Sequence, residues 1–169
     1  MHIDKSFRLW NPVGYMSEKN FDAWFVLKKR VHDRHAFSSR PGGDRFFQVR
    51  DVWFCSIGEN IGHEQDGKHT YFERPVLIVQ KFNHDMFWGV PLTSNLKQGR
   101  YCLEIFFAGR YSSAMHSQLR LWDARRLLRK IDRISESDHR QITEKIISIL
   151  KLSGSPHERG ASEPEGVVK

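Results

Sequence analysis

The alternation of apolar and polar residues in the middle of the chain predicts a series of short β-strands. Between positions 52 and 121, apolar runs recur at close spacing and are separated by turn-forming residues, without helical periodicity. The pattern predicts strands over 52–57, 75–82, 87–93 and 101–107, and a bent fifth strand over 112–121. Such strands favour a small antiparallel barrel or a strongly bent sheet, in a mainly β fold of the α+β class.

Helical periodicity appears only towards the two ends of the chain. After Ser17, a suitable N-cap, one apolar stripe predicts a helix. A second stripe follows Ser135 or Ser137. The two stripes are Phe21, Trp24, Phe25, Leu27 and Val31, and Ile142, Ile146, Ile149 and Leu150. We therefore expect an N-terminal helical arm over 1–48, a β domain over 49–152 and a disordered tail over 153–169, whose composition cannot bury a face.

Composition narrows the class of protein. The chain has 169 residues, of which 39% are hydrophobic, enough for one domain with an appendage. The sequence shows no secretory signal and no apolar run of about 20 residues, so we expect a cytoplasmic protein without a membrane span. Cys55 and Cys102 lack metal-ligand spacing, so we expect buried thiols and no metal or other cofactor. The net charge of +7 is concentrated in residues 1–50 and 118–152, which fits a polyanionic partner and solvated helix faces equally well.

Three polar side chains with complementary chemistry are predicted near the ends of neighbouring strands. His63 lies in the run Gly-His-Glu-Gln before the second strand, Arg74 directly precedes Pro75 at its start, and Thr93 ends the third strand. An imidazole, a guanidinium and a hydroxyl together can split an RNA phosphodiester without a metal, because the 2′-hydroxyl of RNA supplies the nucleophile.

The order of motifs resembles that of the MazF/PemK ribonuclease toxins. The resemblance covers about residues 49–152 and depends on four segments in the expected order and local structure. These are Asp51-Val52-Trp53-Phe54, Gly62-His63-Glu64-Gln65 with Arg74-Pro75, Pro91-Leu92-Thr93-Ser94, and Ser117-Gln118-Leu119-Arg120 with Asp123 and Arg126-Leu127. One difference is that some members have an acidic residue where this chain has Ser117 and a basic residue where it has Met115. A mechanism that needs an aspartate there cannot be carried over.

The resemblance implies a plasmid-maintenance-toxin barrel, similar to a Src-homology-3 barrel, with a C-terminal helix and here an added N-terminal helix. It also implies a homodimeric toxin that cleaves single-stranded RNA to a 2′,3′-cyclic phosphate and a 5′-hydroxyl. A cognate antitoxin, with which such toxins bind DNA, would cover the same groove.

Each candidate catalytic residue also has a simpler structural interpretation. Arg74 would stabilise charge on the phosphate, or would form an ion pair with Glu73 or Glu64. Thr93 would donate its hydroxyl to the same phosphate, or would serve as an ordinary β-branched strand residue. His63 would act as base or acid, or would be a solvated loop histidine.

A second set of residues is predicted to bind substrate or to organise the site. Glu64 and Gln65 are expected to hold the loop through backbone hydrogen bonds, and Ser94 follows the catalytic strand end. Gln118 and Arg120 are expected on one face of the last strand. Arg120 would contact phosphate and Gln118 a base edge or the loop, or both would make dimer or structural contacts.

Two residue classes are assigned mainly to structure. The basic residues at 125, 126, 129 and 130 are expected on a solvated surface, and the strand aromatics mainly in the core rather than stacked on bases.

Two other functions fit the same barrel. One is a non-catalytic toxin similar to the CcdB inhibitors of DNA gyrase, which lack the arginine-proline and threonine constellation. The other is a catalytically inactive RNA-binding module, which would show salt-dependent binding without product ends.

Overall fold

The computed structural model describes residues 19–33, 46–97 and 99–151. The described chain contains one N-terminal helix, seven strands and one C-terminal helix. These elements are α1 (Phe21–Asp33), β1 (Asp51–Ser56), β2 (Glu73–Lys81), β3 (Met86–Thr93), β4 (Cys102–Phe107), β5 (Arg110–Met115), β6 (Arg120–Asp123), β7 (Leu127–Arg133) and α2 (Glu136–Lys151). The first four predicted strands are confirmed to within two residues at each end.

All strand pairs are antiparallel, and the sheet runs in the order β4-β5-β3-β2-β1-β7. β6 lies off this path and pairs with the first half of β3, whereas Leu92 and Thr93 at the end of β3 pair with β5. Because β3 changes partners along its length, the sheet curls into a half-barrel. The predicted fold, a mainly β bent sheet with a helix at each end, is confirmed.

The region after β5 differs from the prediction in two ways. The predicted bent fifth strand is two strands, β5 and β6, separated by a 3₁₀ turn at His116–Gln118. A further strand, β7, was not predicted, and it forms the edge of the sheet against β1. The basic residues Arg129 and Lys130 of β7 are exposed, as the sequence predicted, and they also form ion pairs. Arg129 binds Glu73 through two contacts of 2.9 Å, and Lys130 lies 2.8 Å from the buried carboxylate of Asp51.

Apolar side chains pack on both faces of the sheet. One cluster joins the sheet to Ile134 and α2, and the other lies on the opposite face around Phe87 and Trp122. The prediction that strand aromatics belong to the core is correct for Trp53 and Phe107, which are buried. It is wrong for three others, which are partly or largely exposed. These are Phe54, which is half-buried, Trp88, which is 44% exposed, and Phe106, which is 53% exposed.

The C-terminal helix begins as predicted. The hydroxyl of Ser135 accepts a hydrogen bond from the Asp138 backbone N–H at 3.0 Å, the contact of an N-cap. Ile142 and Ile146 are buried, but Leu150, expected in the same stripe, is 67% exposed. The predicted tail over 153–169 lies outside the described residues.

The N-terminal helix docks through fewer residues than its stripe predicted. Trp24 and Val31 are buried, whereas Phe21 is 48% and Phe25 70% exposed. The predicted cap Ser17 lies outside the described residues, and the Asn20 side chain accepts a hydrogen bond from the Ala23 N–H at 3.0 Å. The helix therefore sits on the barrel by one edge, and two phenyl rings remain in contact with solvent.

The two cysteines are unpaired, and only one is fully buried. Cys55 has no exposed surface, and burial raises the pKa of its thiol. Cys102 is half-buried, so the expectation of two buried thiols is correct only for Cys55. Neither described helix has the length and apolar character needed to cross a bilayer.

Candidate active site

The candidate site is built on the long loop between β1 and β2. Internal hydrogen bonds tie this loop together: the Asp66 carboxylate accepts from the Asn60 N–H at 2.6 Å, and the Asn60 side chain donates to the Gln65 carbonyl at 2.8 Å. The Gly67 N–H also donates to the Gly58 carbonyl at 2.8 Å. The loop is a folded structure with fixed backbone groups, suited to positioning side chains.

Arg74 lies beneath this loop, at the start of β2. Only 8% of it is exposed, and its Nε donates to the Asp66 carbonyl at 2.8 Å. The Gln65 amide, in the orientation that satisfies both of its polar atoms, accepts from Arg74 Nη2 at 2.7 Å. Burial lowers the pKa of Arg74, and the negative charge of Asp66 partly offsets this. Glu73, one of the two ion-pair partners proposed for Arg74, binds Arg129 instead.

Thr93 reaches the same end of the sheet as Arg74. The β2–β3 register ends at the pair Val76 and Pro91; Arg74 lies two residues before Val76 and Thr93 two residues after Pro91, so both lie at the same end of this antiparallel pair. Here β3 has turned towards β5, and Thr93 pairs with Ser113. The Thr93 hydroxyl accepts a hydrogen bond from the Asn95 N–H at 3.2 Å. The half-buried hydroxyl and the exposed Ser94 thus lie at the start of the next loop.

His63 is exposed on the β1–β2 loop, and the structure holds it through its backbone. Its carbonyl accepts a hydrogen bond from the Gln118 side chain at 3.1 Å. The same amide accepts from the Gln65 N–H at 3.0 Å, so Gln118 bridges two points of the loop. Among the contacts considered for Gln118, which were with a base edge, the loop or a dimer partner, the structure shows the contact with the loop.

Glu64 and Gln65 organise the loop, as the sequence predicted. The Glu64 carboxylate accepts a hydrogen bond from the Ile61 N–H at 3.2 Å, and the contacts of Gln65 are those described above. The expectation that Gln118 and Arg120 share one strand is wrong. Gln118 belongs to the 3₁₀ turn, and Arg120 is the first residue of β6.

Two guanidinium groups lie side by side at the end of β1. Arg120 packs 4.0 Å from the Trp122 ring and reaches the Ile57 carbonyl at 3.4 Å. Arg126 donates to the Ser56 carbonyl at 3.0 Å. Burial lowers the pKa of both groups, and the positive charge of Arg126 lowers that of Arg120 further. Sequence reasoning missed Arg126 because the turn Ala124–Arg126, which directs its side chain inward, was read as solvated surface.

An open groove of about 500 Å³ connects α1 with the candidate loop. Six of the residues that line it are Phe21, Phe25, Ile61, Glu64, Arg120 and Arg126. Glu64 belongs to both the groove and the loop that covers Arg74, so the groove and the candidate site are adjacent. In the part of the chain that the structure describes, no group of three or more His, Cys, Asp or Glu residues is arranged to hold a metal ion.

Comparison with known proteins gives one family and one fold. Residues 48–150 match the model of a family described as PemK-like, MazF-like toxins of type II toxin–antitoxin systems. The crystal structure of MazF from Deinococcus radiodurans, form I, superposes with a TM-score of 0.54 at 18% identity, covering 64% of this chain and 99% of that one. No curated protein matches the sequence.

Two further solved structures are more distant. MazF-mt6 of Mycobacterium tuberculosis has a TM-score of 0.47 at 14% identity, covering 60% of this chain and 97% of its own. An endoribonuclease from a mycobacterial species, solved with its cognate antitoxin, has a TM-score of 0.49 at 13% identity, with coverage of 63% and 97%.

Proposed function

Since the chain belongs to the PemK-like, MazF-like toxins of type II toxin–antitoxin systems, we propose that it is an endoribonuclease that cleaves single-stranded RNA. The observation that carries this proposal is the position of Arg74 and Thr93 at the same end of the antiparallel strands β2 and β3, with Arg74 held by the folded loop that presents His63. A cation, a hydroxyl and an imidazole can supply the charge stabilisation, the hydrogen bond and the proton exchange that cleavage by an internal nucleophile requires.

In the proposed reaction the RNA 2′-hydroxyl loses its proton and its oxygen attacks the adjacent phosphorus. The new bond closes the 2′,3′-cyclic phosphate, the bond to the 5′-oxygen breaks, and a proton passes to that oxygen to give a 5′-hydroxyl. Arg74 stabilises the extra negative charge on the phosphate oxygens, and Thr93 donates a hydrogen bond to one of them. His63 exchanges the proton, as base or as acid. The reaction needs no metal, because the nucleophile belongs to the substrate.

The contacts of Arg74 fix how it would reach a phosphate. Its Nε and one terminal nitrogen are occupied by the loop, through the Asp66 carbonyl and the Gln65 amide. Both contacting oxygens are uncharged, although the Asp66 carboxylate acts on the guanidinium from nearby. A phosphate that displaces the Gln65 amide exchanges a neutral acceptor for a charged one, which is the stronger of the two hydrogen bonds.

We further propose that the toxin acts in the cytoplasm as a homodimer and is restrained by an antitoxin. An outward apolar patch supports a second copy of the chain. Trp88 and Leu121 are cross-strand partners in β3 and β6, and they are 44% and 53% exposed. The Phe82 ring stands edge-on to Trp88 with a centroid distance of 5.3 Å. Contiguous exposed aromatics of this kind mark interaction surfaces.

The test is the cleavage of a fluorogenic single-stranded RNA by the full chain in the presence of EDTA, with analysis of the product ends. We expect Arg74→Ala to lower the rate by about 10²–10³-fold, the usual effect of losing one charge-stabilising donor. Arg110→Ala, at an exposed position on β5, is the matched control and should cut at the wild-type rate. The thermal midpoint of each variant shows whether the fold is intact.

Two results would count against the nuclease. Cleavage by a folded Arg74→Ala variant at the wild-type rate would remove Arg74 from the site. Salt-dependent RNA binding by the wild type, without cyclic phosphate ends, would identify an RNA-binding module instead.

A further inference from the structure

Helix α1 is an addition to the family's fold, and it forms one wall of the groove beside the candidate site. The family match begins at residue 48, after α1 has ended at Asp33. Trp24 anchors the helix: its ring lies 5.7 Å from that of Phe72 and 5.7 Å from the Arg126 guanidinium. Lys19 binds the Asp66 carboxylate at 2.9 Å and the Asn60 carbonyl, which fastens the start of the helical segment to the loop.

Two of the three large apolar side chains that α1 leaves exposed line this groove. Phe21 and Phe25 are four positions apart, so they lie one above the other on the same helix face. Both line the groove and are 48% and 70% exposed. Ile61, 79% exposed, stands on the loop side. Contiguous apolar side chains left in solvent mark an interaction surface.

The other wall of the groove supplies positive charge. Arg120 and Arg126 reach neutral carbonyls of residues 57 and 56, and their charges repel each other. Lys28 of α1 adds a third cation. The lining also holds three acidic groups, Asp22, Glu59 and Glu64; Glu64 accepts from a backbone amide, and its negative charge also acts on Arg120. A phosphate between the two guanidiniums would relieve their repulsion and bind both forks.

We propose that this groove is an additional subsite for single-stranded RNA, in which nucleobases stack on Phe21 and Phe25 and a backbone phosphate binds Arg120 and Arg126. Aromatic platforms beside backbone-binding cations are the combination by which proteins hold single strands. The groove volume of about 500 Å³ is within the range of small-ligand sites, about 300–1,000 Å³. The subsite depends on the proposed nuclease function, because Glu64 places it next to the loop that would meet the cut strand. It extends that function to nucleotides flanking the cleavage position.

The test measures binding apart from cleavage. The probe is a fluorescent 2′-O-methyl oligonucleotide, which has no free 2′-hydroxyl and cannot be cut, and its affinity for the full chain is followed by anisotropy at several salt concentrations. The double variant Phe21→Ala/Phe25→Ala should bind at least about 30-fold more weakly, because two base-stacking contacts are lost. Alanine favours the helix, so this variant should fold. Arg126→Gln should make the dependence of log affinity on log salt shallower by about 0.7, the value for one phosphate contact on a single strand.

Two controls separate the groove from general effects. Val26→Ala removes an exposed apolar residue of α1 that does not line the groove, and Phe106→Ala removes an exposed phenyl ring from β4. Both should bind the probe as the wild type does. The inference is overturned if the double variant also binds within twofold of the wild type. It is also overturned if the double variant binds the oligonucleotide normally but loses affinity for an acidic, leucine-rich peptide. The groove would then bind protein.

Failure of the nuclease proposal would give a different result. In that case the wild type would leave an unmodified single-stranded RNA uncut, whatever the groove variants do. If the wild type cuts this RNA and the groove variants bind the probe normally, only the subsite is refuted.

Discussion

Replacing Gln118 with alanine removes the side chain that joins the 3₁₀ turn to the candidate loop at two points. Its amide accepts a hydrogen bond from the Gln65 N–H at 3.0 Å and donates one to the His63 carbonyl at 3.1 Å. Each such bond contributes about 0.5–1.5 kcal/mol net. The loss of both should therefore favour opening of the loop by about 2 kcal/mol, which is about 30-fold in the opening equilibrium.

Amide hydrogen exchange measures this opening directly. We expect the Gln65 amide to exchange about 30-fold faster in Gln118→Ala, while the amide of Leu77, in the buried centre of β2, keeps its protection. Ser117→Ala, at the exposed neighbouring position, is the matched control and should leave both unchanged. If the loop positions catalytic groups, RNA cleavage should fall by up to the same factor. Unchanged exchange at Gln65 would refute the idea that Gln118 holds the loop.

Two further substitutions probe the arm and the core. Gly58→Ala should lower the free energy of unfolding by about 1–3 kcal/mol more than Gly62→Ala. Both glycines have positive φ, but only at Gly58 would a Cβ lie 2.2 Å from the Trp24 ring; equal losses in urea denaturation would exclude the clash. His116 is buried with its Nδ1 3.2 Å from the Tyr101 carbonyl, and burial lowers its pKa. As the pH drops, His116 is therefore protonated in the unfolded state before it is protonated in the folded state. The free energy of unfolding should then fall below about pH 6.5. His116→Gln should weaken that fall, and an identical pH dependence in both proteins would contradict this.

Sequence periodicity predicted most elements because it reports which face of an element is apolar. It failed for β7, where the pattern Leu-Leu-Arg-Lys-Ile-Asp-Arg has one fully buried residue, Leu127. That strand is held instead by pairing with β1 and by charge pairs such as Arg129 with Glu73, which depend on residues distant in sequence. The inward position of Arg126 was missed for the same reason, because its contact with the Ser56 carbonyl joins residues distant in sequence.

The candidate site was predictable in its residues and only partly in its arrangement. Motif order brought Arg74 and Thr93 to one end of the sheet, because adjacent antiparallel strands fix that geometry. The cover of Gln65 and Asp66 over Arg74 depends on how a long loop folds, which no local pattern encodes. Likewise, the stripe on α1 identified an apolar face but not which part of that face meets the barrel, where Phe21 and Phe25 remain exposed.

The burial of Phe47 bears on where the arm ends and the barrel begins. Phe47 is 1% exposed, its ring lies 5.2 Å from that of Phe87, and its carbonyl accepts a hydrogen bond from Lys81 at 3.0 Å. Phe46, its neighbour, is 73% exposed. We expect Phe47→Ala to lower the free energy of unfolding by about 3–5 kcal/mol and Phe46→Ala by less than about 1 kcal/mol, measured by urea denaturation. A truncation after residue 48 would thus remove part of the core together with the arm, whereas one after residue 45 would remove the arm alone. Equal losses for the two variants would show that Phe47 does not contribute to the barrel core.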